Sequence, residues 1–519
     1  MLLQEGPPGQ ATPISYQAFD SAVLRTAAWL AAQGIGTGDR VALWLPNGAP
    51  WLHLLFAAEH VGATLVAINT RYRSSELQYI LERSAARLLV MQRQHQGVDF
   101  AAILGRVERT RVPALHAVAL LIDADAGGAA PAPLAGVPTL ALDLPAQPLA
   151  PCAAPNVHAD LVLFTTSGTT SGPKLVRHSA HTLALHVQAV AGAYGLRAPD
   201  ARLLAIVPLC GVFGLNSVLA AIAGGAPVLL MDGFDGARAA QWLRQQRITH
   251  CFGSDDMFRR IAEAADASDA AGEAKLPHAR LFGFAGFAPD AQTLAQQLAA
   301  RAWPMRGLYG SSEVQALFAV QAADLAPHLR LQGGGHPALE AAQVRVRDPE
   351  SGQLCANGTS GELEIRSPAN FSGYLDNPQA TQAALSEDGF FKTGDLGYLR
   401  GDGSFVYQAR LGDTLRLGGF LVDPAEIEAA LLQEPGVGGA QVVGVTHQGQ
   451  QRVAAFVVAR ETLDTEALLQ ALRGKLATFK LPLRIWQLDA FPGTPGANGF
   501  KVQRNALRQM AQQRLAETA

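Results

Sequence analysis

Short apolar runs alternating with helical periodicity constrain this chain more than any other feature. Val41 to Leu45, Ala63 to Ile68, Leu161 to Thr165, Leu203 to Val207, Pro227 to Met231, Ile248 to Phe252 and Arg280 to Phe284 each read as a strand. Between the first two, Ala49 to Val61 has the spacing of a helix. Continuous apolar strands must be covered on both faces, and strand–helix–strand units deliver them parallel. The pattern predicts an α/β architecture of mostly parallel sheets. At 519 residues the chain exceeds what one core supports, so two or more domains are expected.

The apolar stretch Leu215 to Met231 is broken by Gly224-Gly225 and Pro227 and reads as a buried helix plus a strand, not a membrane span. The N-terminus lacks a basic region followed by an apolar one, so no signal peptide is expected. Cys152, Cys210, Cys251 and Cys355 show neither CxxC pairing nor zinc spacing and read as isolated thiols in a reducing, cytoplasmic setting. With 41 basic against 44 acidic residues, nothing suggests a nucleic-acid footprint or a polybasic membrane patch. Residues 122–158 lose periodicity and read as a surface loop or linker, and 263–278 as another surface excursion.

A second boundary falls near Arg410 to Asp413. Asp423-Pro424-Ala425-Glu426 is a strong helix start, with Asp as N-cap and Pro in the first turn. That helix stops before Pro435-Gly436. Gln441 to Val445 and Arg452 to Val458 read as antiparallel strands, and Thr465 to Leu476 is amphipathic. The division expected is 1–410 and 411–519, the second a small α+β domain.

Several segments carry chemistry. Thr166-Ser167-Gly168-Thr169-Thr170-Ser171-Gly172-Pro173-Lys174 follows a strand. Glycine lets backbone N–H groups converge on a phosphate, while the hydroxyls and Lys174 add donors and charge. The spacing is not that of GxxxxGK[ST]. Tyr309-Gly310-Ser311-Ser312-Glu313 offers a ring for a purine, hydroxyls for a phosphate and a carboxylate for Mg²⁺. Gly394-Asp395 offers a carboxylate for vicinal hydroxyls. Each alone also has a plain reading: an ordinary turn, a buried Tyr before a turn, a Gly-Asp turn. Lys501, before Val502-Gln503-Arg504, would alone be a solvated lysine.

In this order and at these separations the segments resemble the adenylate-forming superfamily: acyl-CoA synthetases, peptide-synthetase adenylation domains and firefly-type luciferases. The resemblance runs from about Ile14-Ser15-Tyr16 to Arg504. It implies ATP-dependent activation of a carboxylic acid. It also implies a large N-terminal multi-sheet α/β domain and a small mobile C-terminal α+β domain, rotating between adenylate-forming and thioester-forming poses. By resemblance Thr166, Ser167, Gly168, Thr169, Thr170 and Lys174 meet the ATP phosphates, and Gly286, Phe287 and Ala288 lie beside adenine. Tyr309 stacks on the base, with Gly310 and Ser311 in the same motif; Ser312 meets the α-phosphate and Glu313 carries Mg²⁺. Asp395 and Arg410 hold the ribose, Gly412 is the hinge and Lys501 the catalytic lysine.

Pro208 to Gly214 resembles the family's segment beside the acyl pocket. Gly211, Val212, Phe213, Asn216, Phe284 and Gly307 are candidate acyl and CoA pocket residues, with plain core positions as the alternative. Gly418 and Gly419 would approach a pantetheine arm. The walls are uncharged, which points to a fatty or aromatic acid. The chain departs from the family pattern at Ser171, Leu175, Gly211, Ala409 and Phe500.

The function implied is an AMP-forming acyl-CoA ligase using ATP, Mg²⁺ and coenzyme A, with small-molecule partners and no nucleic acid or integral membrane association. One rival keeps adenylation but loads a carrier-protein phosphopantetheine. Another is a nucleotide-binding protein without catalysis. A homodimer is left open.

Overall fold

The computed structural model describes residues 2–5, 10–121, 136–148, 156–166, 173–268, 276–286, 291–349, 351–411, 415–417, 420–422, 424–459, 461–496 and 499–517. Among these, an eight-stranded sheet and a thirteen-stranded sheet form the larger part. In the first, Thr139–Ala141, Ala117–Leu120, Leu88–Met91, Arg40–Trp44, Thr64–Ala67 and Asp160–Thr165 run parallel in that spatial order. Leu175–Ser179 and Gly373–Tyr374 then add antiparallel strands at one edge. Helix Ala49–Val61 forms over the predicted residues; it closes at Gly62, whose φ of 75° brings its Cα against Thr37 with no room for a side chain. Trp51, Leu52, Leu54 and Leu55 of this helix are buried in the largest core cluster, with Leu43 and Leu65 of the sheet.

The second sheet is half as expected. Val228–Leu230, Leu203–Ala205, His250–Ser254, Leu281–Ala285 and Met305–Ser311 are parallel and apolar. From Met305–Ser311 onward the strands become antiparallel: Gln315–Val320, Gly333–Pro337, Phe405–Arg410, Phe391–Leu399, Gly361–Arg366 and Gln343–Arg347. This antiparallel half corrects the expectation of mostly parallel pairing. In Phe391–Leu399 buried and half-exposed residues take turns, so no continuous apolar run marks it, whereas Gln315–Val320 is buried throughout.

Two loop expectations also change. Helix Asp255–Ser268 runs through 263–268, with Ile261, Ala262 and Ala265 buried against Phe282 and Trp303. Within 122–158, Thr139–Ala141 is a strand; residues 122–135 and 149–155 lie outside the described residues.

From Leu415 the chain builds separate sheets. Gly439–His447 and Gln450–Val458 pair antiparallel, and Ile485–Leu488 joins them in parallel. One face packs on helices Pro424–Leu432 and Thr465–Arg473 through Val442, Ala455, Ile427 and Leu472. The other packs on helix Arg504–Glu517 through Val443, Phe456, Leu507 and Ala511. This part meets the larger one at helix Ser74–Ser84. Lys480 Nζ donates to Glu76 Oε1 at 2.8 Å and Glu426 Oε1 at 2.6 Å, all three side chains being buried or nearly so. Ser74 and Ser75 donate to the carbonyls of Gly474 and Lys475. Burial works against the charge of Lys480, but the two carboxylates outweigh it and raise its pKa. No helix among the described residues is long and apolar enough to cross a membrane.

Candidate active site

Strands Asp160–Thr165 and Leu175–Ser179 pair antiparallel, with Thr165 opposite Leu175, and the Ser/Thr/Gly segment joins them in sequence. Its stem is closed by Thr166 N–H donating to the Lys174 carbonyl at 2.9 Å and Lys174 N–H to Thr166 Oγ1 at 3.1 Å. Ser167, Gly168, Thr169 and Thr170, and the departure at Ser171, lie outside the described residues. Leu175 is buried with Leu163 and Leu375. Its bulk is spent on the core rather than on the loop.

Strands His250–Ser254, Leu281–Ala285 and Met305–Ser311 release their C-terminal ends along one edge of the parallel half-sheet, where open α/β sheets bind ligands. Gly286 follows one of these ends; Phe287 and Ala288 lie outside the described residues. Tyr309 is at the end of another. A Cβ at Gly310 would sit 2.6 Å from the Ala316 Cα, so only glycine lets the strand turn back here.

The Tyr309 hydroxyl donates to Asp395 Oδ2 at 2.6 Å, joining the candidate adenine and ribose residues directly. Phe405 meets the Tyr309 ring edge-on and Tyr407 meets it at a tilt. Asp395 is fixed in turn: its N–H donates to Thr393 Oγ1, which donates to the Leu363 carbonyl. Gly394 takes the left-handed φ of 67° needed to present it. Across the strand pair Asp395 stands opposite Arg410.

Glu313 accepts from Ser311 Oγ at Oε2 and from Tyr374 Oη at Oε1, both at 3.0 Å. Lys174 Nζ lies 4.4 Å over the centroid of the Tyr374 ring. Ser312 is held from behind: His178 Nε2 donates to its carbonyl at 2.7 Å, while His178 Nδ1 accepts from Gln315 Nε2 at 3.1 Å. Burial lowers the His178 pKa to about 4, against a smaller opposing pull from the Ser312 carbonyl, so the ring is neutral. Among the described residues no three His, Cys, Asp or Glu side chains gather as a metal cage. A lone carboxylate oriented by two hydroxyls suits Mg²⁺, which is commonly held by one or two carboxylates plus substrate phosphates.

The candidate acyl and CoA residues divide. Gly211 caps helix Val212–Gly224, and a Cβ there would meet nothing closer than the Pro208 carbonyl at 3.7 Å. Val212 is buried and Phe213 half-buried at the same helix start. Asn216 is fully buried and donates to Gln315 Oε1 and the Ala316 carbonyl. Phe284 lies in the core with Phe258 and Phe282. A Cβ on Gly307 would overlap the Gln332 carbonyl at 1.9 Å, so this glycine serves close packing. Gly412, Gly418 and Gly419 lie outside the described residues, as does the side chain of Lys501. The backbone of Lys501 pairs with Thr494 between strands Gly493–Gly496 and Gly499–Val502, and Phe500 belongs to the second of them.

A cavity of about 580 Å³ lies between the two parts of the molecule. Thr70, Arg71, Arg73, Pro208, Cys210 and Arg259 line one side, and Gln450, Gln451, Arg452 and Phe479 the other. Pro208 and Cys210 adjoin Gly211, but none of the six candidate wall residues lines this cavity. Burial raises the Cys210 thiol to about 11 and lowers the Arg71 pKa. Sequence reasoning missed Tyr374, His178, Gln315 and these arginines. Gly373-Tyr374 was the one available signal, and it needs its Glu313 partner to have meaning.

The chain as a whole is similar to known proteins. The chain belongs to the AMP-binding enzyme family, whose model matches residues 6–375, and the model of the AMP-binding enzyme C-terminal domain matches 426–497. It is thus an adenylate-forming enzyme, most like the acyl-CoA synthetases. Over 496 residues it is 32% identical to 3-[(3aS,4S,7aS)-7a-methyl-1,5-dioxo-octahydro-1H-inden-4-yl]propanoyl:CoA ligase of Mycobacterium tuberculosis, covering 94% of this chain and 92% of that one. The structure of amide bond synthetase McbA from Marinactinospora thermotolerans matches with TM-score 0.81 at 26% identity, covering 97% and 96% of the two chains. A double mutant of o-succinylbenzoate CoA synthetase from Bacillus subtilis, bound with its product analogue, matches with TM-score 0.80 at 23% identity, covering 98% and 95%; the same enzyme in complex with AMP gives 0.63.

Proposed function

We propose that the chain activates an apolar fatty or aromatic carboxylic acid as its acyl-adenylate and transfers the acyl group to coenzyme A. The observation that carries this is a pair of linkages that the two sheets bring to the segment Tyr309–Glu313: Tyr309 bonds Asp395, while Glu313 and Lys174 meet through Tyr374. The first set suits an adenosine, the second its phosphates. The CoA-ligase relative supports the acceptor.

In the first step an acid oxygen forms a bond to the α-phosphorus of ATP as the bond to pyrophosphate breaks. Tyr309, Asp395 and Arg410 fix the nucleoside; Ser312 and Lys174 orient the phosphates, and Lys501 approaches with the C-terminal part to offset charge at the reacting oxygens. Glu313 is the residue that would hold a magnesium ion, which would supply further charge neutralisation. In the second step the CoA sulfur forms the thioester bond at the acyl carbonyl as AMP leaves.

Arg71, Arg73, Arg259 and Arg452 make the cavity between the parts suited to a phosphate-bearing arm whose thiol reaches inward past Cys210. Closer overlap with the product-analogue complex than with the AMP complex supports reading the present arrangement as the thioester-forming pose. Rotation about Gly412, dividing 1–410 from 411–519, would bring the other pose. The test is Lys501→Ala: ATP–pyrophosphate exchange should fall far more than thioester formation from supplied acyl-AMP. Equal loss of both would reject the role given to Lys501.

A further inference from the structure

Tyr374 connects the two halves of the phosphate site. Strand Gly373–Tyr374 pairs with Leu175–Ser179, which begins just after Lys174, and Tyr374 stands opposite Val176. On either side, Ser372 N–H donates to the Arg177 carbonyl and Leu375 N–H to the Leu175 carbonyl. Phe371 N–H donates instead to the Glu313 carbonyl at 2.8 Å. Residues 371–375 are therefore a strap from the eight-stranded sheet to the turn that carries Glu313.

The strap is itself anchored. Tyr374 N–H donates to Thr381 Oγ1 at 2.9 Å. Gly373 has φ 123° and would place a Cβ 3.0 Å from Thr381 Cγ2, so it accepts no larger residue without strain. Phe371 packs edge-on against the Tyr374 ring with centroids 5.0 Å apart. From that position its hydroxyl reaches Glu313 and its face carries Lys174.

Resting on the proposed roles of Glu313 and Lys174, we propose that Tyr374 is a positioning residue for adenylation: its hydroxyl aims the metal-holding carboxylate, and its ring face holds the phosphate-loop ammonium at a set distance from it. The hydroxyl and Ser311 Oγ occupy one direction on each Glu313 oxygen, fixing the carboxylate plane while leaving lone pairs for a cation. The ring quadrupole attracts the Lys174 ammonium and sets its place beside the Glu313 carboxylate.

Two variants of the full chain separate the contributions. Tyr374→Phe keeps the ring and loses the hydroxyl; Tyr374→Leu loses both. The measurements are pyrophosphate exchange at graded free Mg²⁺, electron paramagnetic resonance of Mn²⁺ binding with a non-hydrolysable ATP analogue, and thioester formation from supplied acyl-AMP. Tyr374→Phe should weaken Mn²⁺ binding and raise the Mg²⁺ requirement roughly ten-fold while leaving thioester formation within about two-fold. Tyr374→Leu should add a rise in the KM for ATP. Unchanged Mn²⁺ affinity in Tyr374→Phe, or equal loss of both half-reactions, overturns the proposal. Glu313→Gln separates the two levels: exchange that survives it removes the role of Glu313 itself. Exchange lost in Glu313→Gln, beside unaltered Mn²⁺ binding in Tyr374→Phe, removes only that of Tyr374.

Discussion

Replacing Lys480 by Met would expose how the small C-terminal part is held. Lys480 Nζ lies 2.8 Å from Glu76 Oε1 and 2.6 Å from Glu426 Oε1, so those two oxygens are at most about 5.4 Å apart. Met fills a similar volume but leaves two carboxylates facing each other in a buried seam. At an effective dielectric of 20, two charges at that separation repel by about 3 kcal/mol, and uncompensated burial of the survivors brings the cost to about 3–5 kcal/mol. A unit of this size loses roughly 4–8 °C of melting temperature per kcal/mol, so its transition should fall by more than about 10 °C at neutral pH. The deficit should shrink as pH falls and one carboxylate takes up a proton. Adding Glu76→Gln to Lys480→Met removes the repulsion and should recover part of the loss. Scanning calorimetry of the three proteins reads this directly. A single variant melting with the parent, or a double variant no better than the single, would refute the reasoning.

Gly307→Ala should destabilise the larger part by about 2 kcal/mol or more, read as a lower melting temperature, because its methyl overlaps the Gln332 carbonyl. Tyr309→Phe should raise the KM for ATP in pyrophosphate exchange several-fold while leaving CoA affinity unchanged, since it removes the bond to Asp395 on the nucleoside side. Burial holds His178, His186 and His250 down to about 4, while an unfolded histidine titrates near 6.5. The unfolded chain therefore binds more protons between those values, and stability present above pH 6.5 is lost as pH falls toward 4, by about 3 kcal/mol per histidine. Melting temperatures measured from pH 7.5 to 5 should decline below about 6.5, and a flat profile would contradict the neutral, buried state of these rings.

The apolar strands of the parallel sheets were readable because burial on both faces leaves a local signature, and Ala49–Val61 is a helix over the residues its spacing marks. The antiparallel half was less so: Phe391–Leu399 alternates buried and half-exposed residues, which dilutes the signal, and Gln315–Val320, buried throughout, carries no local mark of which direction its neighbours run. Tyr309, Glu313 and Asp395 could be named because chemistry and motif coincide in adjacent residues. Their supports could not: Tyr374 is 61 residues from Glu313, His178 is 134 from Ser312, and Lys480 is 404 from Glu76. Nothing local marks such partners, since each is chosen by where the sheets bring it. Asn216 shows the converse, a polar residue beside the helix start that reads as pocket wall yet spends its amide on Gln315.

The most direct measurement incubates the purified protein with ATP, Mg²⁺ and coenzyme A across short, medium and long fatty acids and benzoate- and cinnamate-type acids, and quantifies AMP and acyl-CoA together. Equimolar AMP and thioester with one class of apolar acid is the expected result. Pyrophosphate exchange or AMP without a CoA thioester, or no turnover with any of these acids, would contradict the assignment as a ligase joining apolar acids to coenzyme A.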